Sequence, residues 1–321
     1  MTVRRLLPLG LSLAAFAALL VSAAEAAVAC RAALQTCARL LIPSLFPFFV
    51  LSSLLSVFGL PALLGRLLGR LSMRLYGISG AGASALVLGL CGGYPSGAAY
   101  LGEMERSGAI SAEEGDRLLA FCNNSGPAFA VGALGLGVFH SVRIGLFLYA
   151  VHALSALLTG LFFRGQAKGP APRPVLLDEA DPARALAEAV KRAALSLLQI
   201  CGFVVFFTAL LAVLDAGGGV SLLCGLLHEA FGWELSFARA LCTGLLELGS
   251  GAAALEGLRP TPATLALASW ILSWGGLSVH FQTLSVLSDS KITGALHLAG
   301  RLISACISAA MAFGFSLCFL F

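Results

Sequence analysis

The sequence predicts an all-α polytopic membrane protein made of two inverted repeats, each with a re-entrant hairpin and a broken transmembrane helix. Of its 321 residues, 59% are hydrophobic and 11% are charged, which is far more apolar than a soluble domain. Apolar windows of about 20 residues, long enough to cross a bilayer, recur along the chain. Four stretches inside these windows carry tight-turn or amide residues, whose free backbone groups lipid cannot satisfy. They therefore indicate a polar cavity buried within the membrane domain.

Nine apolar windows follow one another along the chain. They lie near residues 6–24, 40–60, 78–101, 118–138, 143–163, 194–214, 219–255, 263–287 and 295–319. Pro43 and Pro47 interrupt the second window, and each is expected to bend the chain because proline removes a helix hydrogen bond. The third window suits a re-entrant hairpin better than a continuous helix, and the 219–255 region has the same ambiguity, so the number of spans stays open.

Each half of the chain contains a glycine-rich hairpin followed by a broken helix. The predicted parts are an N-terminal half over 1–163, with a hairpin near 89–98 and a break near 122–135, a polar linker over 164–185, and a C-terminal half over 186–321, with a hairpin near 244–253 and a break near 274–285. Broken segments at corresponding positions of two halves are typical of secondary transporters. If the halves are inverted, the two hairpins enter from opposite sides and meet near the midplane.

The positions of the charged residues predict how the chain is oriented in the membrane. Lys and Arg give a net charge of +4, but they are scattered between apolar runs, without the basic tract that would bind nucleic acid. Arg4 and Arg5 place the N-terminus in the cytoplasm by the positive-inside rule. Residues 1–29 fit an uncleaved first helix, which we favour because the rest is a membrane domain, or a secretory signal peptide.

Signatures of enzymes and metal sites are missing from the sequence. It contains no P-loop, GxSxG or HExxH motif, and the hydrophobic spans leave no separate catalytic domain. The nine cysteines are spread through apolar segments without a CxxC or Cys/His cluster, so we interpret them as packing residues. The sequence thus predicts a protein that is not an enzyme and uses no cofactor and no metal.

Candidate ligand-binding residues in the N-terminal half lie in the break and the hairpin. Asn123, Asn124 and Ser125 precede Gly126-Pro127, an arrangement that caps a new helix and turns its positive dipole end towards the cavity. Such an end binds carboxylates. A kinked helix whose amides bond neighbouring helices is the alternative.

The first hairpin and the second half supply the other candidates. Tyr94 and Ser96 offer an aromatic face and a hydroxyl at the first hairpin tip, unless GGYPSG is only a tight turn. Glu247 is the one carboxylate in the second apolar hairpin, so we expect it to carry a coupling proton or bind a cation. The alternative is a carboxylate near the interface, or one bonded to Thr243 and Ser250.

The second broken element completes the candidate set with Ser278, His280 and Gln282. A histidine suits either substrate binding or proton movement, although a lone histidine is often only a satisfied core residue. Arg301 is expected near the end of the last helix, where long side chains snorkel to the membrane interface.

Three stretches carry a family resemblance: GLCGGYPSGA at 89–98, SAEEGDRLLAFCNNSGPAF at 111–129 and GGLSVHFQTLSVLSDS at 275–290. They closely resemble the sporulation integral membrane protein YlbJ family, also called SpoVV, whose members carry a nucleoside recognition, or gate, domain. The resemblance extends from about residue 40 to the C-terminus. Gate domains are similar to the core of concentrative nucleoside transporters, in which two re-entrant hairpins and two unwound helices surround a midplane substrate site. The resemblance implies transport of dipicolinate across the forespore envelope of an endospore-forming bacterium.

These observations lead to a functional expectation. We expect a secondary-type transporter of a small planar anionic metabolite, with dipicolinate as the leading substrate, in the cell membrane that surrounds the forespore. Its expected partners are this substrate, a coupling ion (proton or sodium), the lipid bilayer and, still open, a second copy of the chain in a homo-oligomer, but no nucleic acid. The alternatives are a nucleoside or nucleobase permease and a non-transporting scaffold for spore envelope assembly.

Overall fold

The computed structural model describes residues 3–165 and 181–319, and all regular structure in those ranges is helical. Most of the predicted polar linker at 164–185 lies outside the described residues. The side chains of Arg4 and Arg5 lie outside them as well. The predicted all-α class is confirmed.

Fifteen α-helices and two π-helices make up the described fold. The elements before the predicted linker are α1 (Val3–Val21), α2 (Ala23–Thr36), π1 (Cys37–Leu41), α3 (Ile42–Val57), α4 (Leu60–Tyr76), α5 (Gly80–Gly92), α6 (Ser96–Arg106), α7 (Ala112–Cys122), π2 (Ala128–Val138) and α8 (Val142–Phe162). The elements after it are α9 (Pro182–Ala216), α10 (Gly219–Phe231), α11 (Leu235–Leu246), α12 (Leu248–Ala253), α13 (Pro262–Trp274), α14 (Gly276–Val286) and α15 (His297–Phe319).

Several of these helices are long and apolar enough to cross a membrane. Four qualify directly, namely α8, α9, the joined pair α13–α14 and α15. Two bent pairs, α1–α2 and α4–α5, turn by 93° and 96° at short breaks and raise the number to six if each pair is one span. Large apolar side chains on α1, α4 and α9 are exposed, as expected of surfaces that face lipid. By length and composition, the described helices are therefore those expected of a membrane protein with several spans.

Two helical hairpins form where the sequence contains glycine-rich turns. In the first, α5 ends at Gly92, and Gly93 adopts a left-handed φ of +77° that reverses the chain into α6. In the second, α11 ends at Leu246, and Glu247 is extended before α12 begins. Their tips lie within the two stretches predicted to be hairpins.

Two helix breaks follow the hairpins. The first separates α7 from π2 over residues 123–127, and Pro127 stands just before the new helix. This helix is a π-helix, whereas the proline predicted an ordinary helical start. The second break is the single residue Gly275 between α13 and α14; Gly275 and Gly276, the first residue of α14, both have left-handed φ. The first interruption is thus the longer one.

Helix α15 is the central support of the site. It packs against α7, α8 and α13, and serine hydroxyls bond across these contacts. The Ser269 and Ser308 hydroxyls are 2.5 Å apart, and those of Ser155 and Ser304 are 3.3 Å apart. Small polar residues let membrane helices approach closely and bond one another. Side chains from the start of α15 therefore reach the first helix break.

Candidate functional site

A small cavity lies where both hairpin tips and both broken helices meet. Its polar lining comes from all four elements: Tyr94, Ser125, Glu247 and Gln282. Aliphatic side chains of π1, α3 and α9 also line it. Its volume is about 50 Å³, room for one or two water molecules, whereas sites for small molecules occupy about 300–1,000 Å³. A metabolite can occupy this site only after the surrounding elements separate.

The first hairpin tip touches the first break, a contact we call the first crossing (Gly93–Tyr94 against 123–127). A Cβ atom on Gly93 would lie 2.9 Å from the Gly126 nitrogen, which is closer than non-bonded atoms tolerate. Glycine at both positions allows the two backbones to meet. Tyr94 follows Gly93 and is buried beside the break.

The second hairpin tip touches the second break in the same way, a contact we call the second crossing (Glu247–Gly249 against Gly275–Gly276). A Cβ atom on Gly276 would lie 3.0 Å from the backbone nitrogens of Glu247 and Leu248. Gly276 also has a left-handed φ of +79°. Glycine is again what permits the contact.

Arg301 of α15 is fully buried at the first crossing. Its Nη1 donates to the Tyr94 hydroxyl at 3.1 Å, to the Asn124 side-chain oxygen at 3.0 Å and to the Asn123 carbonyl oxygen. The Asn124 amide nitrogen donates to the Phe121 carbonyl, which orients the side-chain oxygen towards the guanidinium. The expectation that Arg301 snorkels to the interface is wrong, because the packing of α15 against α7 and α8 places it at the first break.

His152 of α8 joins the first break to α13. Its Nε2 accepts a hydrogen bond from the Ser125 N–H at 3.0 Å, so the proton of the neutral ring is on Nδ1. Nδ1 then donates to the Ser273 hydroxyl at 2.7 Å. This leaves the Ser125 hydroxyl itself buried, on the cavity wall, and without a hydrogen bond to any described residue.

Asn123 and Ser96 lie beside the cavity and do not line it. The Asn123 side chain accepts from the Ala98 N–H at 3.3 Å and donates to the Thr283 hydroxyl at 2.7 Å, so it ties the first break to α6 and α14. Ser96 begins α6, and its side chain lies against Gly92 at the hairpin turn.

Glu247 is the acidic residue of the second crossing. Its carboxylate is 3% exposed and caps α12, accepting from the Gly249 N–H at 2.9 Å and the Ser250 N–H at 2.5 Å. The Thr243 hydroxyl donates instead to the Arg239 carbonyl. The contact with Ser250 that was kept open for Glu247 is present, and the side chain is buried in the protein.

The other candidates of the second half divide between the cavity and the core. Gln282 lines the cavity. The Ser278 hydroxyl is buried near the Glu247 carboxylate but makes no hydrogen bond of good geometry among the described residues. His280 lies behind them, with its Nδ1 3.1 Å from His297 Nε2 and its ring against Trp274.

Three polar residues of this site were missed as candidates: Arg301, His152 and His297. Each is ionisable within an apolar stretch, which is itself a signal of function in membrane proteins. His297 and Arg301 also stand four residues apart, on one face of α15. In the described ranges, no group of three or more His, Cys, Asp or Glu side chains could hold a metal ion.

Two hairpins and two breaks around a small cavity define a transporter-like membrane fold, and solved structures share it. The inward-facing, substrate-bound structure of the concentrative nucleoside transporter CNTnw aligns with a TM-score of 0.59 and 16% identity, covering 86% of this chain and 75% of that one. Two intermediate states of a CNTnw variant align with TM-scores of 0.56 and 0.54 at 17% and 16% identity, covering 85% and 84% of this chain and 74% and 76% of the other.

The chain is also similar in sequence to a known protein. Over 279 residues, the chain is 28% identical to the sporulation integral membrane protein YlbJ of Bacillus subtilis (strain 168), which covers 79% of this chain and 68% of the relative. No family model matches the chain. The resemblance predicted from the three motif stretches is confirmed, and the protein is an integral membrane protein with a transporter-like fold.

Proposed function

We propose that the protein is a secondary transporter for a small planar anionic metabolite, with dipicolinate as the leading candidate. The observation that carries the proposal is Ser125, a residue that is 1% exposed and lines the cavity, and whose buried hydroxyl is unpartnered among the described residues. It precedes the helix that begins after the first break, and helix N-terminal ends attract anions. The rings of Tyr94 and Phe129 on the same cavity wall suit a flat aromatic ligand.

Charge balance at the cavity assigns a role to Glu247. A dicarboxylate and an ionised Glu247 would repel each other across so small a space. We therefore propose that a proton or a sodium ion neutralises Glu247 when the substrate binds. This couples transport of the ion to transport of the substrate. The relative's name supports sporulation as the setting, and we propose the membrane around the forespore as the location.

Uptake by the purified protein in liposomes tests this proposal. We expect saturable uptake of labelled dipicolinate that excess uridine does not reduce. Absence of uptake by a folded, correctly inserted protein would reject transport of this substrate. Dipicolinate accumulation in spores of a deletion strain, with and without the gene restored, then separates transport from a scaffold role in spore envelope assembly.

A nucleoside or nucleobase permease is the second candidate, and Glu247 and Gln282 favour it. A carboxylate and an amide on the cavity wall can bond sugar hydroxyls and base edges, and a neutral nucleoside needs no compensating charge. The structural similarity to CNTnw supports the same candidate. Uridine uptake that dipicolinate does not inhibit would establish it in place of the anion transporter.

We further propose that the two halves are inverted repeats. The matching sequence of hairpin, break and crossing in each half supports this relation. Single cysteines at Ser96 and Ser250, in a background without the nine native cysteines, should react with an impermeant thiol reagent from opposite membrane faces. Reaction of both from the same face would reject the inverted arrangement.

A further inference from the structure

Arg301 has no counter-ion among the described residues. None of the ion pairs in the described ranges includes it, and its Nε and Nη2 make no hydrogen bond there. It lies near the N-terminal end of α15, where the helix dipole disfavours a cation. A fully buried positive charge in these surroundings is costly, so its position calls for a specific compensating interaction.

The compensation comes from oxygen atoms gathered around a single nitrogen. Nη1 carries two protons, yet three oxygens face it: the Tyr94 hydroxyl, the Asn124 side-chain oxygen and the Asn123 carbonyl. Three oxygens thus lie within hydrogen-bond distance of one positively charged group, as oxygen ligands lie close to a monovalent cation. We name these three oxygens the oxygen cage.

The backbone around the cage also favours a cation. Asn123 follows the C-terminal end of α7, the negative end of a helix dipole. In secondary transporters, unwound carbonyls and the C-terminal ends of half-helices coordinate coupling cations. In this chain a guanidinium lies at such a place, held there by the packing of α15 against α7 and α8.

We propose that Arg301 is a tethered cation, which occupies the oxygen cage in place of an inorganic ion, so that the first crossing needs no bound sodium to hold its two elements together. The inference deepens the transporter proposal. It rests on that proposal only for what it implies about where ion coupling takes place. That consequence places any ion coupling at the second crossing, where the carboxylate of Glu247 lies.

Thermal stability of the purified full chain in sodium, potassium or choline chloride at one ionic strength tests the inference. All variants are compared in a Glu247→Gln background, which removes the ion site proposed at the second crossing, and the Tm of this background should be the same in all three salts. Arg301→Ala should have a lower Tm in choline, and sodium should raise it saturably by about 3 °C as the ion fills the vacated cage. Arg239→Ala is the matched control, because this exposed arginine pairs with Asp215 away from the cage, and its Tm should not distinguish sodium from choline.

Two further variants keep the test decisive if Arg301→Ala does not fold. Arg301→Lys places a compact cation in the cage and should remain folded and indifferent to sodium. Arg301→Gln is neutral and should be less stable than Arg301→Lys and stabilised by sodium. Saturable stabilisation of the Glu247→Gln background by sodium, or equal Tm values and no sodium response in the Lys and Gln variants, would overturn the inference. Because stability is read without dipicolinate, failure of dipicolinate uptake rejects the proposed substrate and leaves this result unaffected.

Discussion

The two crossings each bring a hairpin tip against a helix break, but with different polar contacts. At the first, a cation on α15 gathers oxygens from the tip and the break, and His152 adds a link to α13. At the second, a single carboxylate bonds the N–H groups of its own hairpin. The comparison teaches that similar backbone geometry does not imply a similar role. The first crossing is cross-linked by several elements. At the second, close glycine packing and the hydrogen bond from Trp274 Nε1 to the Leu245 carbonyl join the hairpin to α13.

The largest expected effect is on the glycine contacts that both crossings share. Gly93→Ala and Gly276→Ala should each reduce the free energy of unfolding by about 2–5 kcal/mol, because a left-handed φ and a backbone contact both oppose the new methyl group. Gly108→Ala is the control, with a φ of +73° and open space around it, and should lose only about 1–2 kcal/mol. Equal losses in all three, measured by denaturant unfolding, would mean that the crossings are not tightly packed.

The next largest effect is expected at the first crossing, where Arg301 links several elements. Asn124→Ala removes an acceptor of a buried guanidinium and should cost about 1.5–3 kcal/mol. Asn123→Ala, which loses only bonds to uncharged groups, should cost about 1 kcal/mol. Both should lower transport while membrane insertion is unchanged. If Asn123→Ala were less stable than Asn124→Ala, the contact with Arg301 would not be a major contribution to the stability of the first crossing.

Glu247→Gln changes the second crossing with little effect on stability, because the amide oxygen still accepts one of the two N–H groups. We expect a loss of about 1 kcal/mol. Concentrative uptake should stop responding to an imposed pH gradient, while substrate exchange at equilibrium persists. Exposed Glu256→Gln should leave the response intact, and His280→Gln tests the competing proton carrier. Full pH-gradient coupling in Glu247→Gln would remove this residue from coupling.

The sequence predicted those parts of the fold that local chemistry decides. Glycine at 92, 93 and 97 indicated the first hairpin, and Asn123 to Pro127 indicated the first break. The π-helical form of the helix after Pro127 was not predicted, since proline favours a helical start without specifying its hydrogen-bond register.

The predicted site was less complete because its members come together only through packing. Arg301 and His152 are distant from the break in sequence and lie in apolar helices without a local motif. Their positions depend on how α8 and α15 pack around α7, which helix periodicity alone does not specify. Asn124 was proposed as a direct ligand of the substrate, yet its side chain contacts Arg301 and Phe121.

The smallest expected effect on stability is that of Ser125→Ala. The Ser125 hydroxyl has no hydrogen-bond partner among the described residues, so its removal should change the free energy of unfolding by less than about 0.5 kcal/mol. The same change removes a hydrogen bond to an anionic ligand, worth about 1.5–3 kcal/mol. Stability and binding should therefore respond differently to this substitution.

Calorimetric titration of dipicolinate into purified wild-type and Ser125→Ala protein tests the central claim most directly. The account predicts saturable binding by the wild type and a dissociation constant about 10–100-fold higher in the variant, at an unchanged Tm. Absence of binding by folded wild-type protein, or equal dissociation constants for the two proteins, would contradict an anion site between the two crossings.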